Sequence, residues 1–339
     1  MAKMISGKGV DRRCVLGMML SAGACALALR PVAALAFDDP KDDLLKLLPS
    51  FKDESRRMLL QLLRSPEFTG QIPAGVVKDL LSVERRTLPD LMNGLLPLAG
   101  TFSHAPISNF RVGTVARGAS GSLYLGFNIE IPGQPLGFSV HGEQAVLSSA
   151  YMHGEQGVSA IAVTAAPCGH CRQFMQELSP NGAIEILVEG AAPTRLESLL
   201  PQAFGPKDLG RTEGAFPVRE TKLTPKTPIS DAVVQAALDA ARKSYAPYSG
   251  ARSGIAIATR PGRIHQGSYI ENVAFNPSLP PLETALVQMI VAGDDYGVIS
   301  RVVLVEVNGA KITQRSVTEA ALGAVSAGVK LEAVTVAEG

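Results

Sequence analysis

Tryptophan is absent from the 339 residues, and cysteine occurs only four times. So few cysteines exclude a domain held together by several disulfides. No block of like charge runs along the chain, where 32 Lys and Arg oppose 31 Asp and Glu. A polyanion binder usually shows a basic stripe, so a nucleic-acid polymer is not the expected partner. The apolar run at 14–29 falls short of the roughly 20 residues that cross a bilayer comfortably, so stable membrane anchoring is not expected either. What is present is 46% apolar residues, ample for folded cores, and a length that suggests two domains. Small-molecule chemistry is the expected class.

The first 36 residues read as an export signal. A basic stretch is followed by the apolar run and then by Ala34-Leu35-Ala36, an A-x-A cleavage pattern. Arg12-Arg13 followed by Val15-Leu16 is similar to the twin-arginine signal, which exports proteins already folded. Exported or periplasmic location is the expectation, with the cytoplasm as the alternative. Cleavage would remove Cys14 and Cys25 and leave Cys168 and Cys171 alone. A pair this close in sequence closes too small a loop to stabilise much, so its purpose is redox or metal chemistry.

Residues 37–100 carry Leu, Met and Val at three-and-four spacing and predict helices. The pattern then changes to short branched runs bounded by Gly, Ser or Pro, with helical stretches between them, which predicts an α/β layered domain over 101–210. A Pro-, Gly- and Thr-rich segment, 211–228, reads as a linker to a second domain at 229–339. "APISNFRVG" at 105–113 recurs as "APYSGARSG" at 246–254, an offset of 141 that also pairs Gly126 with Gly267 and Glu130 with Glu271. One duplicated unit accounts for this. Carried on without a gap, the offset sets Leu282 opposite His141 and Thr284 opposite Glu143, and the second copy has no cysteine at all.

The groups absent from the second copy are His141, Glu143, Cys168 and Cys171, a set suited to catalytic zinc. Zinc accepts imidazole nitrogen and thiolate sulfur, and a catalytic site uses three protein ligands with one position left open. "PCGHC", with Pro167 before a predicted helix start, places both sulfurs where the helix dipole favours thiolates. Glu143, two residues beyond His141, is placed as an acid–base group beside the metal. H-x-E followed by P-C-x-x-C is a known signature of zinc nucleobase deaminases. A thiol–disulfide oxidoreductase using Cys168 and Cys171 and a non-catalytic nucleoside-binding protein are the alternatives.

"SNFRVG", "GFNIEI", "HGEQ", "PCGHCRQFMQEL" and "AFGPKDL" occur in order from residue 108 to 209. Together they resemble the cytidine deaminases of the two-domain, homodimeric bacterial type, with the likeness extending from about residue 60 to the C-terminus. The resemblance implies two tandem α/β/α three-layer sandwiches, each with a mixed five-stranded sheet, preceded by a small helical segment. It implies one Zn2+ per chain on His141, Cys168 and Cys171, with Glu143 as proton shuttle. Phe110 would stack on the pyrimidine, Asn128 and Glu130 would hold the ribose, and Phe204 would reach the partner subunit's site. The implied reaction is hydrolytic deamination of cytidine and 2'-deoxycytidine, a step of pyrimidine salvage. Gly142 departs from the usual H-A-E. Outside the resemblance, Phe110 and Phe204 read equally as core aromatics, Asn128 as a turn residue and Glu130 as a surface charge. His104, His153 and His265 have no companions at ligand spacing.

Overall fold

The structure is a computed structural model that describes residues 47–179 and 183–339; the expected leader and its cleavage point lie outside them. The described residues belong to one compact unit, Ala36–Gly339. Among them no helix is long and apolar enough to cross a membrane.

Four helices open the described chain: α1 (Asp53–Leu63), α2 (Ala74–Glu84), α3 (Leu88–Gly94) and α4 (Leu96–Thr101). Leu59 and Leu63 on α1, and Val77 and Leu80 on α2, recur at three-and-four spacing and are buried. Thr87 caps α3 by accepting the Asp90 N–H at 3.3 Å. The first α/β unit continues with β2 (Gly113–Gly118), β3 (Leu123–Phe127), α5 (Gly142–Met152), β4 (Val158–Val163), α6 (Gly169–Leu178), β5 (Glu185–Val188), β6 (Thr194–Arg195) and α7 (Leu196–Leu199). A two-residue strand, β1 (Gln71–Ile72), precedes α2 and pairs with β3, so the sheet runs β1-β3-β2-β4-β5-β6. That makes six strands rather than five, because the helical segment lends its own edge strand.

The second unit contains β7 (Leu223–Pro225), α8 (Ala232–Lys243), β8 (Ser253–Thr259), β9 (Ile264–Ser268), α9 (Pro281–Val291), β10 (Ile299–Val307), α10 (Arg315–Val325) and β11 (Leu331–Glu338). Its sheet runs β7-β11-β10-β8-β9. The expected linker therefore ends in a strand: Leu223 is buried, and β7 lies at the sheet edge, where its terminal proline removes no ladder bond. The four strands β3-β2-β4-β5 have the order and directions of β9-β8-β10-β11, with a parallel pair (β4 with β5, β10 with β11) and antiparallel neighbours. Even the hairpin register repeats: Gly113 faces Phe127 as Gly254 faces Ser268.

Glycines fix the three layers. A side chain at Gly113 would meet the Leu96 carbonyl of α4 at 2.3 Å, and one at Gly126 would meet the Val146 nitrogen of α5 at 2.4 Å. These two residues stand on opposite faces of one hairpin, so a helix lies against each face of the sheet. Gly254 and Gly267 repeat the arrangement against Ala241 of α8 and Ala285 of α9, at 2.2 and 2.3 Å. Helix α4 is thus the counterpart of α8, and the boundary expected at 100/101 cuts through it. Helical periodicity alone could not tell a leading segment from the first layer of a sandwich.

The ungapped offset also needs correction. The bridge Ile129–Val140 has its counterpart in Ile270–Leu279, so the second copy is two residues shorter in this loop and the offset falls from 141 to 139. His141, which caps α5, therefore matches Pro280, which caps α9, and Glu143 matches Leu282, not Thr284. One hydrophobic core runs through both halves by way of α5 and α9, with Leu147, Leu282 and Leu286 all buried.

Candidate active site

Two helix starts build the site. His141 precedes α5 in extended conformation, and its N–H is accepted by the Gln144 side chain at 3.2 Å. Cys168 precedes α6 in the same conformation, and Cys171 follows in the first turn. His141 Nδ1 lies 3.5 Å from the Cys168 sulfur and 3.3 Å from the Cys171 sulfur, and the sulfurs are 3.5 Å apart. A tetrahedral zinc ion with sulfur at about 2.3 Å and nitrogen at about 2.0 Å would separate its donor atoms by about 3.5–3.8 Å. The three residues fit that ion with little adjustment. Among the described residues no other group of three His, Cys, Asp or Glu side chains converges in this way.

The electrostatics agree with a cation in this place. The hydrogen bond from Cys171 pulls the Cys168 thiol down to about 4. Giving that bond, together with burial, pushes the Cys171 thiol up. The two shifts describe one proton left between two sulfurs, and a divalent cation would displace it. Glu143, in the first turn of α5, is 5% exposed, and burial raises its carboxyl. Such a group is suited to carry a proton near neutral pH.

These groups stand at one end of a cavity of about 470 Å³, lined by Phe110, Asn128, Glu130, His141, Glu143 and Cys168 among others. That volume is within the range of small-molecule sites. Asn109 adopts a left-handed φ of 56°, tolerable for asparagine, and Phe110, 58% exposed as a residue, follows it. Asn128 donates to the Phe110 carbonyl at 2.9 Å and accepts from Val112 N–H at 2.9 Å. Glu130 accepts from the N–H groups of Ile107 (2.7 Å) and Ser108 (3.0 Å) and from the Ser108 hydroxyl. Burial alone would raise the Glu130 carboxyl, but these bonds outweigh it and hold it low. Glu130 is therefore neither a free surface charge nor solely a ligand group; it clamps the loop that presents Phe110. Glu271 does the same in the second half, accepting from Tyr248 and Ser249 N–H at 2.7 and 3.2 Å.

Of the expected site residues, Cys171 lies buried behind the cavity wall beside His141 and Cys168, and Phe204 lies outside the cavity altogether. It is 47% exposed, and its carbonyl accepts from Gln173 at 2.6 Å. Gly142 has a plain reason: an added Cβ would lie 2.8 Å from Val112 and 2.9 Å from Thr114, whose hydroxyl donates to the Gly142 carbonyl at 2.8 Å.

Sequence reading missed Glu177. It lies on α6, fully buried, and accepts from the hydroxyls of Tyr245 and Tyr248, each at 2.7 Å, and from Val273 N–H at 2.8 Å. A charge sharing the buried face of Cys171, Phe174 and Leu178 was the available signal. His153 and His265 bond instead to Ser149 and Thr69, and to Asp294.

The family description "Cytidine and deoxycytidylate deaminase zinc-binding region" matches the chain twice, over 89–184 and 196–319. A cytidine deaminase of Vibrio vulnificus is 40% identical over 279 residues, covering 82% of this chain and 94% of that protein. One from Cronobacter sakazakii is 44% identical over 279 residues, with the same coverage. The crystal structure of cytidine deaminase from Mycobacterium tuberculosis aligns with 35% of this chain and 99% of its own, at 28% identity and a TM-score of 0.33. The donor cluster, the acid beside it and relatedness along most of the chain agree, and the chain belongs to the cytidine and deoxycytidylate deaminase family.

Proposed function

We infer that the chain is a zinc-dependent hydrolase that converts cytidine and 2'-deoxycytidine, with water, to the uridine nucleosides and ammonia. The observation that carries this reading is the convergence of His141, Cys168 and Cys171 beside a buried Glu143 in a nucleoside-sized cavity. Held by those three donors, zinc supplies a Lewis acid that makes water nucleophilic near neutral pH. Glu143 would take one proton from water on its carboxylate and deliver it to N3 of the pyrimidine, then take the second proton, from the hydroxyl newly bonded to C4, and deliver it to the departing amine. The same raised carboxyl serves as base and then as acid. Phe110 stacks on the ring at the cavity mouth. Asn128 and Glu130, whose oxygens and amide already shape that wall, bond the ribose hydroxyls with their remaining capacity. This selects a nucleoside over a free base. Redox chemistry is disfavoured by His141, whose ring nitrogen closes a triangle with the two sulfurs at 3.5 and 3.3 Å, a donor set that suits a metal and that a dithiol switch does not need.

The exposed Phe204 supports a homodimer in which this ring completes the partner's cavity. Deamination of a nucleoside supports a role in pyrimidine salvage, and the twin-arginine-like sequence within residues 1–36 supports export, with zinc loading before export protecting the two thiolates. The test is ammonia release from cytidine by purified mature protein, with zinc measured on the same sample. One zinc per chain with turnover is expected; metal-free protein with a Cys168–Cys171 disulfide and no ammonia would overturn the reading. Phe204→Ala should lower activity without loss of zinc, and full activity in a monomer would exclude the shared site.

A further inference from the structure

Helix α6 is anchored at its far end by the other half of the molecule. Glu177 lies six residues beyond Cys171, about 9 Å along the helix axis. Its carboxylate is fully buried, and the three hydrogen bonds described above come from Tyr245, Tyr248 and Val273 of the second unit. A fourth bond follows the same path: Asn272 donates from its side chain to the Gln173 carbonyl of α6 at 3.1 Å. A buried carboxylate is costly unless satisfied, so this contact fixes the helix in depth and rotation more sharply than apolar packing does.

The contact is also one-sided. Aligned on the residues that precede them, Cys168 and Gln314, helices α6 and α10 set Gly323 opposite Glu177. The offset of 141 sets His104 and Ile107 opposite Tyr245 and Tyr248. No acid on α10 reaches back to tyrosines of the first half. If the bonds served only to join the halves, either direction would do. The one present holds the helix that carries the metal ligands.

We propose that Glu177 is a positioning residue that sets the aim of Cys168 and Cys171 at the metal, using donors for which the second half is retained. This rests on the zinc site described above. Glu177 does not touch the ligands and acts through the helix that carries them; a displacement of about 1 Å arising far from the chemistry can cost about 10²-fold in rate.

The test uses full-length zinc-loaded protein carrying Tyr245→Phe with Tyr248→Phe, and separately Glu177→Gln. Zinc release to a chromophoric chelator, kcat and KM for cytidine, and melting temperature are measured on each. Release should be about tenfold faster and kcat about tenfold lower, with KM within about twofold of the parent; Tyr248→Phe alone should lie between. Release and kcat within about twofold of the parent, with only the melting temperature lowered, would show that the contact merely joins the halves. Should Glu177→Gln fail to fold, the tyrosine variants decide. Zinc release needs no turnover, so an inactive parent would defeat the deaminase reading while leaving this comparison intact.

Discussion

Helices α5 and α9 occupy the same place in two sheets of the same order, and they begin with opposite chemistry. Before α5 stands His141, a metal ligand; before α9 stands Pro280, which can neither ligate nor donate. The losses continue around the second site: Phe110 is matched by Ala251, Asn128 by Tyr269, Glu143 by Leu282 and Cys168 by Gln314. What the second half keeps is what the fold needs. Gly267 still admits its helix, Glu271 still clamps its loop, and Gly250 (φ 71°) takes the left-handed turn that Asn109 takes in the first half. The comparison sorts the residues of the first half. A group retained in both halves serves the architecture, and one found in the first half alone serves the chemistry. By that rule the Glu130 clamp serves the architecture, since Glu271 duplicates it, while Asn128, two residues before it, belongs to the first half alone.

The sharpest break of this comparison is at Glu143. Glu143→Gln keeps the shape and removes the proton carrier, so kcat should fall by about 10²–10⁴-fold while zinc stays at one per chain. The reciprocal Leu282→Glu, added to Glu143→Gln, should restore no activity, because Pro280 supplies no ligand there. Turnover by Glu143→Gln near the parent rate would remove the shuttle assignment. Next come the paired glycines. Gly126→Ala and Gly267→Ala each drive a methyl into helix backbone, at 2.4 and 2.3 Å from nitrogen, and each should cost about 3 kcal/mol or more by denaturant unfolding. Only Gly126→Ala displaces the helix that carries His141 and Glu143, so it alone should also speed zinc release. Equal effects on zinc would mean that the halves are not separable in this way.

Much of this was legible in the chain. Branched, Gly-bounded runs gave β2 to β5 within a few residues, and H-x-E with C-x-x-C gave the metal set. What was not legible has physical causes. The two-residue shortening between Ile270 and Leu279 falls in a loop with no periodic signal, so nothing in the pattern disclosed the shift that pairs Glu143 with Leu282. Glu177 acts through Tyr245, 68 residues away in sequence, and such a pairing exists only once the halves have packed. Helix α4 has the composition of the helices before it; its place under Gly113 makes it part of the sandwich.

A smaller difference between the helix starts predicts a pH effect. Gln144 in α5 is satisfied by His141 N–H and by the Pro277 carbonyl at 3.2 Å each. Its counterpart Glu283 follows a proline with no N–H, and neither of its oxygens has a hydrogen-bond partner. Burial raises this carboxyl to about 7 from an ordinary 4.5. Below about 4.5 it is protonated whether the chain is folded or not and costs nothing extra. As pH rises from there to about 7, the unfolded chain ionises while the folded one keeps its proton, so stability falls; above that range the loss is complete. Glu283→Gln should therefore raise the unfolding free energy by about 2–3 kcal/mol at pH 8 and leave it almost unchanged near pH 4.5. A gain independent of pH would show that shape, not charge, distinguishes the two positions.

The smallest expected effect concerns the residue that departs from the family's usual motif. Gly142 begins α5, where alanine would favour the helix by about 1 kcal/mol. Its Cβ would nonetheless stand within 2.9 Å of both Val112, whose N–H is held by Asn128, and Thr114, which lies in β2. Crowding of that kind costs about 1–3 kcal/mol. The two effects nearly cancel, and the crowding should prevail by about 1 kcal/mol. Thr114→Ser removes the methyl while keeping a hydroxyl for the Gly142 carbonyl, so Gly142→Ala with Thr114→Ser should recover most of the loss. Denaturant unfolding of the single and double variants measures this directly. If Gly142→Ala alone is more stable than the parent, Val112 and Thr114 yield freely, and the glycine is not there for want of space.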